Sequence, residues 1–290
     1  MVWTNAVVQG LLLGGLYALF SVGLSLMFGV MRFVNLAHGD FSVLAAYAAY
    51  VLVEHAGGTP LWTFAAVVPM AAVVGFFLQH FILDRALGAG ELSPLLVTFG
   101  LSIFIESALQ QGFGANNDSL FLGPLSYQSW KITNTLYLGR LEVIVFVVAV
   151  ALISGLQLFL SRTQPGRLLR ATADNPRAAA LSGVNPRRVR ALATAIALAT
   201  VAVGGLFLAM RTSFTPTSGS NDLIFAFEAV IIGGLGSLWG TLLGGLILGV
   251  AQTVGSQINP ADGILAGHLV FLAVLAYRPQ GILAARNAAL

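Results

Sequence analysis

Residues 229–261 read AVIIGGLGSLWGTLLGGLILGVAQTVGSQINPA, a run without a single charged side chain. A helix that crosses a bilayer needs about 20 mostly apolar residues, so this run is long enough for more than one membrane helix. Glycines interrupt it at Gly233, Gly234, Gly236 and Gly240. We therefore predict two helical pieces separated by a break, which is typical of a protein that crosses the membrane several times.

The composition of the whole chain agrees with this stretch. Its 290 residues are 57% hydrophobic and only 9% charged, and the mean hydropathy is +0.88. Soluble globular proteins carry about 25% charged residues. These values exclude a soluble enzyme and a disordered protein. The absence of cysteine excludes a disulfide scaffold and any cysteine-based metal site or nucleophile.

Apolar stretches elsewhere in the chain predict the remaining spans. They cover residues 7–28, 41–53, 61–83, 95–109, 143–160, 191–210 and 264–277. Together with 229–261 they predict an all-α polytopic membrane protein with about eight transmembrane helices, some short or broken. We expect one transmembrane domain over residues 1–290. No basic residue precedes the first span, so we expect a retained helix and not a cleaved signal peptide.

The distribution of arginine predicts the orientation. Seven arginines lie within residues 162–190, and short cytoplasmic loops carry the excess of basic residues. Such a cluster could also contact anionic lipid or nucleic acid, but beside hydrophobic spans a cytoplasmic loop is favoured and no nucleic-acid partner is expected. The N-terminus is then outside, the C-terminus inside, and residues 111–140 form an external loop.

A polar segment, residues 31–40, separates the first two apolar stretches. Because 41–53 is too short to cross a membrane alone, two interpretations stay open. The segment is either an ordinary cytoplasmic turn or a piece of irregular backbone at membrane depth, which is tolerated only beside protein or a watery cavity. Its polar residues Asn35, His38 and Asp40 are candidates for a translocation path.

Further path candidates lie around the start of the charge-free run 229–261. Glu228 precedes the glycines Gly233, Gly234 and Gly236. A charge within the membrane usually faces a partner or a cavity. A carboxylate in water at a helix end is an equally good interpretation of Glu228.

Glycines at four-residue spacing predict close helix contacts. Gly240 and Gly244 follow this spacing, as do Gly245 and Gly249, and Gly10 and Gly14 repeat it in the first span. Small residues at this interval let two helix backbones approach, so we expect these positions to pack helices within the chain or at a dimer contact.

The basic segment 162–190 carries helix boundary signals. Asn175-Pro176 and Asn185-Pro186 are each an N-cap residue followed by proline at the first helical position. Gly183 suits the end of the helix that Asn175 opens. We predict two short helices on the cytoplasmic face, followed by the start of the next span.

The small side chains of this segment favour docking into a groove of another protein. The alternative is a basic helix lying on lipid headgroups, but such a helix needs bulky apolar residues on one face. The candidates for coupling the chain to such a partner protein are Gly166, Arg167, Arg170, Ala171, Asn175, Ala178, Ala179 and Gly183.

Several kinds of chemistry lack their residues. A Walker A loop requires G-x-x-x-x-G-K-[ST], and the only lysine is Lys131, between Trp130 and Ile132. The four histidines are scattered and form no H-x-x-x-H metal pair. These absences leave an enzyme without support, and we expect no cofactor, no metal site and no nucleotide site of the chain's own.

Short motifs in a fixed order resemble one family, the branched-chain amino-acid ABC transporter permeases of the LivH type. The resemblance extends nearly from end to end. The motifs are GLYAL (15–19), GLSLMFG (23–29), VNLAHGDF (34–41), GRLLRA (166–171), AALSGVN (179–185), GGLGSLWG (233–240) and RPQGIL (278–283).

The resemblance implies an ABC importer permease fold in a bacterial inner membrane. It also implies a second permease of the LivM type, two cytoplasmic ATPase subunits that dock on residues 166–183, and a periplasmic binding protein. Branched-chain amino acids are the expected substrate, and other members of the family that carry urea or short-chain amides provide the alternative. A stand-alone channel or an ion-coupled carrier is the competing class.

Overall fold

The computed structural model describes residues 2–57, 59–90, 92–121, 128–133 and 136–283. Its helices in chain order are α1 (Val2–Met31), α2 (His38–Ala56), α3 (Thr63–Leu78), α4 (Asp84–Ala89), α5 (Ser93–Phe113), α6 (Arg140–Arg162), α7 (Gln164–Asp174), α8 (Pro176–Leu181), α9 (Pro186–Arg211), α10 (Gly219–Gly233), α11 (Leu238–Ile258) and α12 (Gly263–Tyr277). A five-residue π-helical segment, Gln79–Leu83, joins α3 to α4.

Seven helical segments in the described part of the chain are long and apolar enough to cross a membrane. They are Trp3–Met31, Pro60–Ala89, Ser93–Phe113, Arg140–Arg162, Pro186–Arg211, Leu238–Ile258 and Pro260–Tyr277. The prediction of an all-α polytopic membrane protein is thereby confirmed. Helices α2 and α10, of 19 and 15 residues, are not among these seven segments.

The stretch 111–140, which we predicted to be an external loop, contains regular structure that we did not predict. Strands β1 (Ser129–Thr133) and β2 (Leu136–Gly139) form an antiparallel hairpin. Residues 122–127 and 134–135 of this stretch lie outside the described residues. Lys131 pairs with Tyr137 in the hairpin register, a local pairing that left no clear alternation of apolar and polar residues in the sequence.

Helix α2 begins in the interior of the bundle, not at its edge. The Nε2 atom of His38 donates a hydrogen bond to the carbonyl oxygen of Phe20, 2.8 Å away, near the middle of α1. Residues 32–37 therefore turn back along α1 before α2 starts. This geometry favours the interpretation of residues 31–40 as backbone at membrane depth.

Helix α10 repeats this arrangement from the other direction. Gly219, its first residue, packs on Asp40 at the start of α2, and Gly205 of α9 packs on Ser42. The segment 212–218 therefore returns into the bundle after α9, as residues 32–37 do after α1. Helices α2 and α10 therefore meet at their N-terminal ends.

The long helices pack in a matching, inverted pattern. Gly14 of α1 contacts the backbone of Gly245 in α11, and Gly75 of α3 contacts the backbone of Thr194 in α9. The series α1–α2–α3 and the series α9–α10–α11 thus exchange roles, since the first helix of each packs against the third helix of the other. Inverted repeats around broken helices are a recurrent architecture of transporters.

The predicted break within 229–261 is confirmed. Helix α10 ends at Gly233 and α11 begins at Leu238. Gly234 has φ 108° and Gly236 has φ 79°, values that side chains with a Cβ rarely adopt. Glycine is therefore needed at both positions for the chain to reverse between the helices.

The two short helices predicted after α6 are also confirmed. The side-chain oxygen of Asn175 accepts hydrogen bonds from the backbone N–H groups of Arg177 and Ala178, at 3.1 and 3.0 Å, and so caps α8. Gly183 ends this region with φ 85°. Asn185 caps α9 in the same way.

Candidate translocation and coupling sites

The N-terminal ends of α2 and α10 are in close backbone contact in the interior of the bundle. A methyl group on Gly39 would overlap the carbonyl oxygen of Gly219, and a methyl group on Gly219 would overlap the Asp40 carboxylate. Only glycine lets the two helix ends approach to this distance. The partial positive charges of both helix N-termini thus converge on one point.

Acidic and hydroxyl side chains collect at this point. The Ser42 hydroxyl lies 2.7 Å from the Asp222 carboxylate and 2.7 Å from the Gly39 carbonyl oxygen. Asp40 and Asp222 are both buried. One carboxylate oxygen of Asp40 has no hydrogen-bond partner among the described residues. Carboxylates are stabilised near helix N-termini, which explains how two acids can lie here without a basic partner in the described structure.

A row of polar side chains on α5 borders the same point. Thr98 accepts a hydrogen bond from the backbone N–H of Leu36 at 3.2 Å. Ser102 lies within hydrogen-bonding reach of Asp40, and Glu106 is close enough to interact with it electrostatically. Thr98, Ser102 and Glu106 are four residues apart and share one helix face. Ser102 and Glu106 are half-buried.

Sequence reasoning did not select Ser42, Thr98, Ser102 or Asp222. The spacing of Thr98, Ser102 and Glu106 within an apolar stretch was a usable signal, since three polar residues on one face of a membrane helix need a polar neighbour. Asp222 gave no such signal, because the surrounding Ser-Asn-Asp sequence reads as a loop.

Asn35 and His38 face α1 and are fully buried. The Asn35 side-chain oxygen accepts a hydrogen bond from the Ala37 N–H at 3.1 Å, and the His38 ring bonds to Phe20. The Asn35 side-chain N–H group also lies 3.8 Å from the Met27 sulfur of α1. Both residues therefore fasten the returning segment to α1, while Asp40, two residues further along from His38, faces α10 and α5.

Glu228 lies apart from this group, between α10 and α12. Its carboxylate is 2.5 Å from Nδ1 of His268. The Tyr17 hydroxyl donates to the Gln252 side-chain oxygen, also at 2.5 Å, on the neighbouring helices α1 and α11. Glu228 is buried, so the structure places it in a polar contact between helices and not in water at a helix end.

The three glycines of the α10–α11 turn are surrounded by backbone. A Cβ atom on Gly233 would overlap Gly240, and Gly281 packs on Gly234. Gly236 faces Gly29 at the end of α1. The three glycines therefore lie at the C-terminal end of α10 and in the turn after it, whereas Asp222 lies in the first turn of α10.

The glycines selected for helix packing lie at helix contacts. Gly245 and Gly249 face α1 at Gly14 and Gly10, whereas Gly240 and Gly244 face α10. At each of the four positions an added Cβ would come closer than 3.0 Å to backbone atoms. Two glycine strips on different faces of α11 therefore contact two different helices.

The coupling segment projects from the end of α6. Gly166 packs directly on the backbone of Phe159 and Leu160. Arg167 and Ala171 are exposed, and Arg170 donates a hydrogen bond to the Ser161 carbonyl oxygen at 3.4 Å. Helix α7 is therefore held against α6 by one face and exposes the other.

Helix α8 exposes most of its side chains. Asn175, Ala178 and Gly183 are exposed, whereas Ala179 is buried. Leu181 is 91% exposed, although sequence reasoning gave it no role. Single exposed apolar side chains are common on protein surfaces, so Leu181 is a contact candidate only together with the exposed alanines of α8, and one leucine among alanines was the available signal.

The described residues contain no group of three or more His, Asp or Glu side chains that could hold a metal ion. The arrangement is a bundle of tightly packed helices with a polar centre and an exposed pair of short helices at one end.

Comparison with known proteins decides the family. The profile of the family described as "Branched-chain amino acid transport system / permease component" matches residues 6–275. The chain belongs to this family. The resemblance found in the sequence motifs is therefore confirmed, and the family consists of permease components, which agrees with the prediction of a transporter subunit.

Individual relatives match this chain over most of its length. The chain is 30% identical to the high-affinity branched-chain amino-acid transport system permease protein BraD of Pseudomonas aeruginosa, over 97% of this chain and 95% of that protein. It is 26% identical to LivH of Escherichia coli K12, over 95% and 93%. It also resembles LivM of the same organism, at 26% over 92% of this chain and 68% of LivM.

No solved structure shows significant similarity to the chain. The family and the seven apolar helices identify the family permease as a multi-pass inner-membrane protein.

Proposed function

We propose that this family permease is the membrane-spanning subunit of an ATP-driven importer of branched-chain amino acids. The observation that carries the proposal is the family match from residue 6 to residue 275. The names of its relatives, which specify high-affinity branched-chain amino-acid transport, support the substrate class, and no observation favours urea or short-chain amides.

We infer that a second permease of the LivM type completes the membrane part. The similarity of this chain to LivM itself supports the pairing, since two related permeases can enclose a path with approximate two-fold symmetry. Two cytoplasmic ATPase subunits and a periplasmic binding protein belong to the same proposal. The N-terminus is periplasmic and the C-terminus cytoplasmic, as the arginine distribution predicts.

The substrate path is proposed to run beside the meeting point of α2 and α10. Asp40, Asp222 and Ser102 form its polar wall, together with Glu106 of α5. The half-buried acidic side chain of α5 supports this placement, because a carboxylate at membrane depth faces a cavity or a partner more readily than lipid. Asn35 and His38 position Asp40 by fastening residues 32–37 to α1.

Glu228 and the glycines of the α10–α11 turn receive a supporting role in this proposal. The Glu228 contact with His268 ties α10 to α12, and Gly233, Gly234 and Gly236 let the two helices join closely. They keep α10, and so Asp222, in place beside the path.

The exposed face of α7 and α8 is proposed to dock on the ATPase. Arg167 and Arg170 supply positive charge, Ala171 and Ala178 allow a close approach, and Leu181 provides an apolar anchor. The capped ends of α8 support this, since Asn175 and Gly183 fix the direction of a helix too short to be stable alone.

The test is uptake into membrane vesicles that contain the permease with its co-encoded partner subunits. We expect uptake of labelled leucine that requires ATP and the binding protein, and that excess valine suppresses but urea and acetamide do not. Uptake that follows an ion gradient without ATP would support a carrier instead. Transport of urea in preference to leucine would move the chain to the alternative substrate class.

The path has its own test in the same vesicles. Asp40→Ala is expected to lower leucine uptake at least about tenfold while the assembled complex is still recovered, because the variant lacks the carboxylate that faces the proposed substrate path. His38→Ala should lower both uptake and thermal stability, since it unfastens the segment. The lipid-facing change Ile103→Val on α5 is the control, and equal uptake in all three variants would exclude the proposed wall.

A further inference from the structure

A cavity of about 520 Å³ lies between the coupling helices and the end of the helical bundle. Its wall comes from the end of α1, from α4, from α7 and α8, and from the start of α9. This volume falls within the range of small-molecule sites. Nothing in the proposed import function uses it.

The cavity wall contains three arginines and two aspartates. Arg190 donates a hydrogen bond to one Asp84 oxygen at 2.8 Å. Arg32 and Arg187 form no ion pair with any residue of the described structure, and Asp174 is likewise exposed without one. The wall therefore presents both positive and negative groups that lack partners within the described part of the chain.

Two buried polar atoms in the same wall also lack partners. The Thr172 hydroxyl and the second carboxylate oxygen of Asp84 form no hydrogen bond with the described residues. Thr172 is 2% exposed and the Asp84 side chain is 4% exposed. A buried polar group without a hydrogen bond costs free energy, so a ligand with both an acceptor and a donor would satisfy this wall.

The backbone of Arg32 has an unusual, left-handed conformation. Arg32 has φ 57°, and it is the one non-glycine residue with positive φ in the described structure. Strained backbone of this kind is retained where the surrounding structure enforces it, commonly at binding sites. The strain directs the chain from α1 into the returning segment and leaves Arg32 at the cavity.

We propose that this cavity binds the headgroup of a phospholipid that carries a primary ammonium group. Arg32, Arg187 and the Thr172 hydroxyl bind the phosphate, and Asp84 and Asp174 bind the ammonium. Basic pockets between membrane helices on the cytoplasmic side bind phospholipid headgroups, and the apolar side chains Val30, Met31 and Leu87 of the wall suit the glycerol end of a lipid.

A phosphate alone fits this wall less well, because it would leave Asp174 and the second carboxylate oxygen of Asp84 without a partner. A free amino acid shares the pairing of an anion with an ammonium group, and the experiment must separate it from a lipid. The cytoplasmic location follows from the proposed orientation, but lipid binding itself is measurable whether or not the chain imports amino acids.

The test is native mass spectrometry of the purified chain with defined lipids. Ethanolamine phospholipid should be retained about tenfold more strongly than choline phospholipid, which has no ammonium N–H, or glycerol phospholipid, which has no ammonium group. A charge-assisted hydrogen bond is worth about that factor. Equal retention of the three lipids would overturn the proposal.

Variants assign the retained lipid to the cavity. Arg32→Asn, which tolerates a left-handed backbone, and Arg187→Gln should each reduce retention about tenfold. Asp174→Asn should remove the preference for ethanolamine over glycerol headgroups. The control is Arg85→Gln: Arg85 is exposed on the same helix as Asp84 but bonds to the Phe81 carbonyl oxygen and does not line the cavity. Equal losses for Arg85→Gln and the cavity variants would overturn the assignment.

Soluble competitors separate lipid from small molecule. Neither leucine nor phosphoethanolamine at millimolar concentration should displace the bound lipid, because both lack the glycerol and acyl contacts. Displacement by leucine would overturn the lipid assignment and identify an amino-acid site. Thr172→Val, which keeps the shape of the side chain, provides a second variant if an arginine change prevents folding, and unchanged lipid retention in it would count against the site.

Discussion

At the scale of single residues, the contact of Gly39 with Gly219 should determine whether the N-terminal ends of α2 and α10 can pack together. We expect Gly39→Ala and Gly219→Ala to destabilise the purified permease by about 1–3 kcal/mol, since an extra carbon in a packed interior displaces backbone atoms. Thermal melting in detergent measures the stability, and leucine uptake should fall with it.

The matched control is Gly155→Ala in α6. An added methyl group at Gly155 would have no atom within 4 Å, and alanine is favoured over glycine within a helix by about 0.5–1 kcal/mol. The control should therefore be neutral or slightly stabilising. Equal destabilisation of all three variants would mean that the close contact of Gly39 with Gly219 does not determine the result.

The exposed leucine of α8 gives a second prediction at the residue scale. Leu181→Ser should reduce recovery of the ATPase in a pull-down at least about tenfold, because an apolar anchor at the centre of an interface contributes about 2 kcal/mol or more. The melting temperature of the isolated permease should not fall, since Leu181 is 91% exposed in it. A lower melting temperature would indicate an internal packing role instead.

Neighbouring alanines separate docking from folding in the same assay. Ala178 is exposed and Ala179 is buried. Ala178→Trp should therefore block the ATPase while the permease keeps its stability. Ala179→Trp should disturb α8 itself, because the larger side chain has no room inside. If the two variants behave alike, the assignment of the docking face is wrong.

At the scale of elements, the helix caps of the coupling segment should determine its order. Asn175→Ala removes two hydrogen bonds, a loss of about 1 kcal/mol. Helix α8 has only six residues, so hydrogen exchange of its amides should accelerate about fivefold. Asn185→Ala removes the equivalent cap from α9, whose 26 residues are mostly held by burial, and exchange beyond its first turn should stay unchanged.

The same two elements show why some structure could be predicted from the sequence and some could not. The ends of α8 are set by Asn175, Pro176 and Gly183, whose preferences act within a few residues, so the prediction was correct. The start of α10 is set by contact with Ser42, 180 residues away. Its first turn, which contains Asp222, reads as a polar loop, and the prediction began the helix at residue 229.

The site divides along the same line. His38 and Asp40 stood out because they interrupt an apolar sequence, and the structure places Asp40 at the meeting of two helices. The face that Ala179 presents depends on how α8 packs against the chain, and sequence reasoning treated it as a docking residue. Leu181 needed the structure, since only burial distinguishes an exposed leucine from a core one.

At the scale of the whole molecule, the inverted packing of α1–α3 and α9–α11 joins the two ends of the proposed transport cycle. Asp40 lies in the first turn of α2 and Asp222 in the first turn of α10. A shift of α10 relative to α2 would therefore act on both carboxylates through the contact of Gly39 with Gly219. Through the α10–α11 turn the same shift reaches the end of α1 at Gly29, close to the cavity that contains Arg32.

Orientation is the whole-molecule property that the inverted halves leave open, because the two series of helices would fit the membrane either way up. The arginine distribution predicts that Asn117 lies outside and Ser182 inside. The natural chain has no cysteine, so Asn117→Cys and Ser182→Cys each introduce one labelling site without background. In intact cells an impermeant maleimide should modify only Asn117→Cys, and Ser182→Cys should react after the membrane is opened. The reverse pattern would place the coupling helices outside the cell, away from any ATPase, and would contradict both the orientation and the docking proposal.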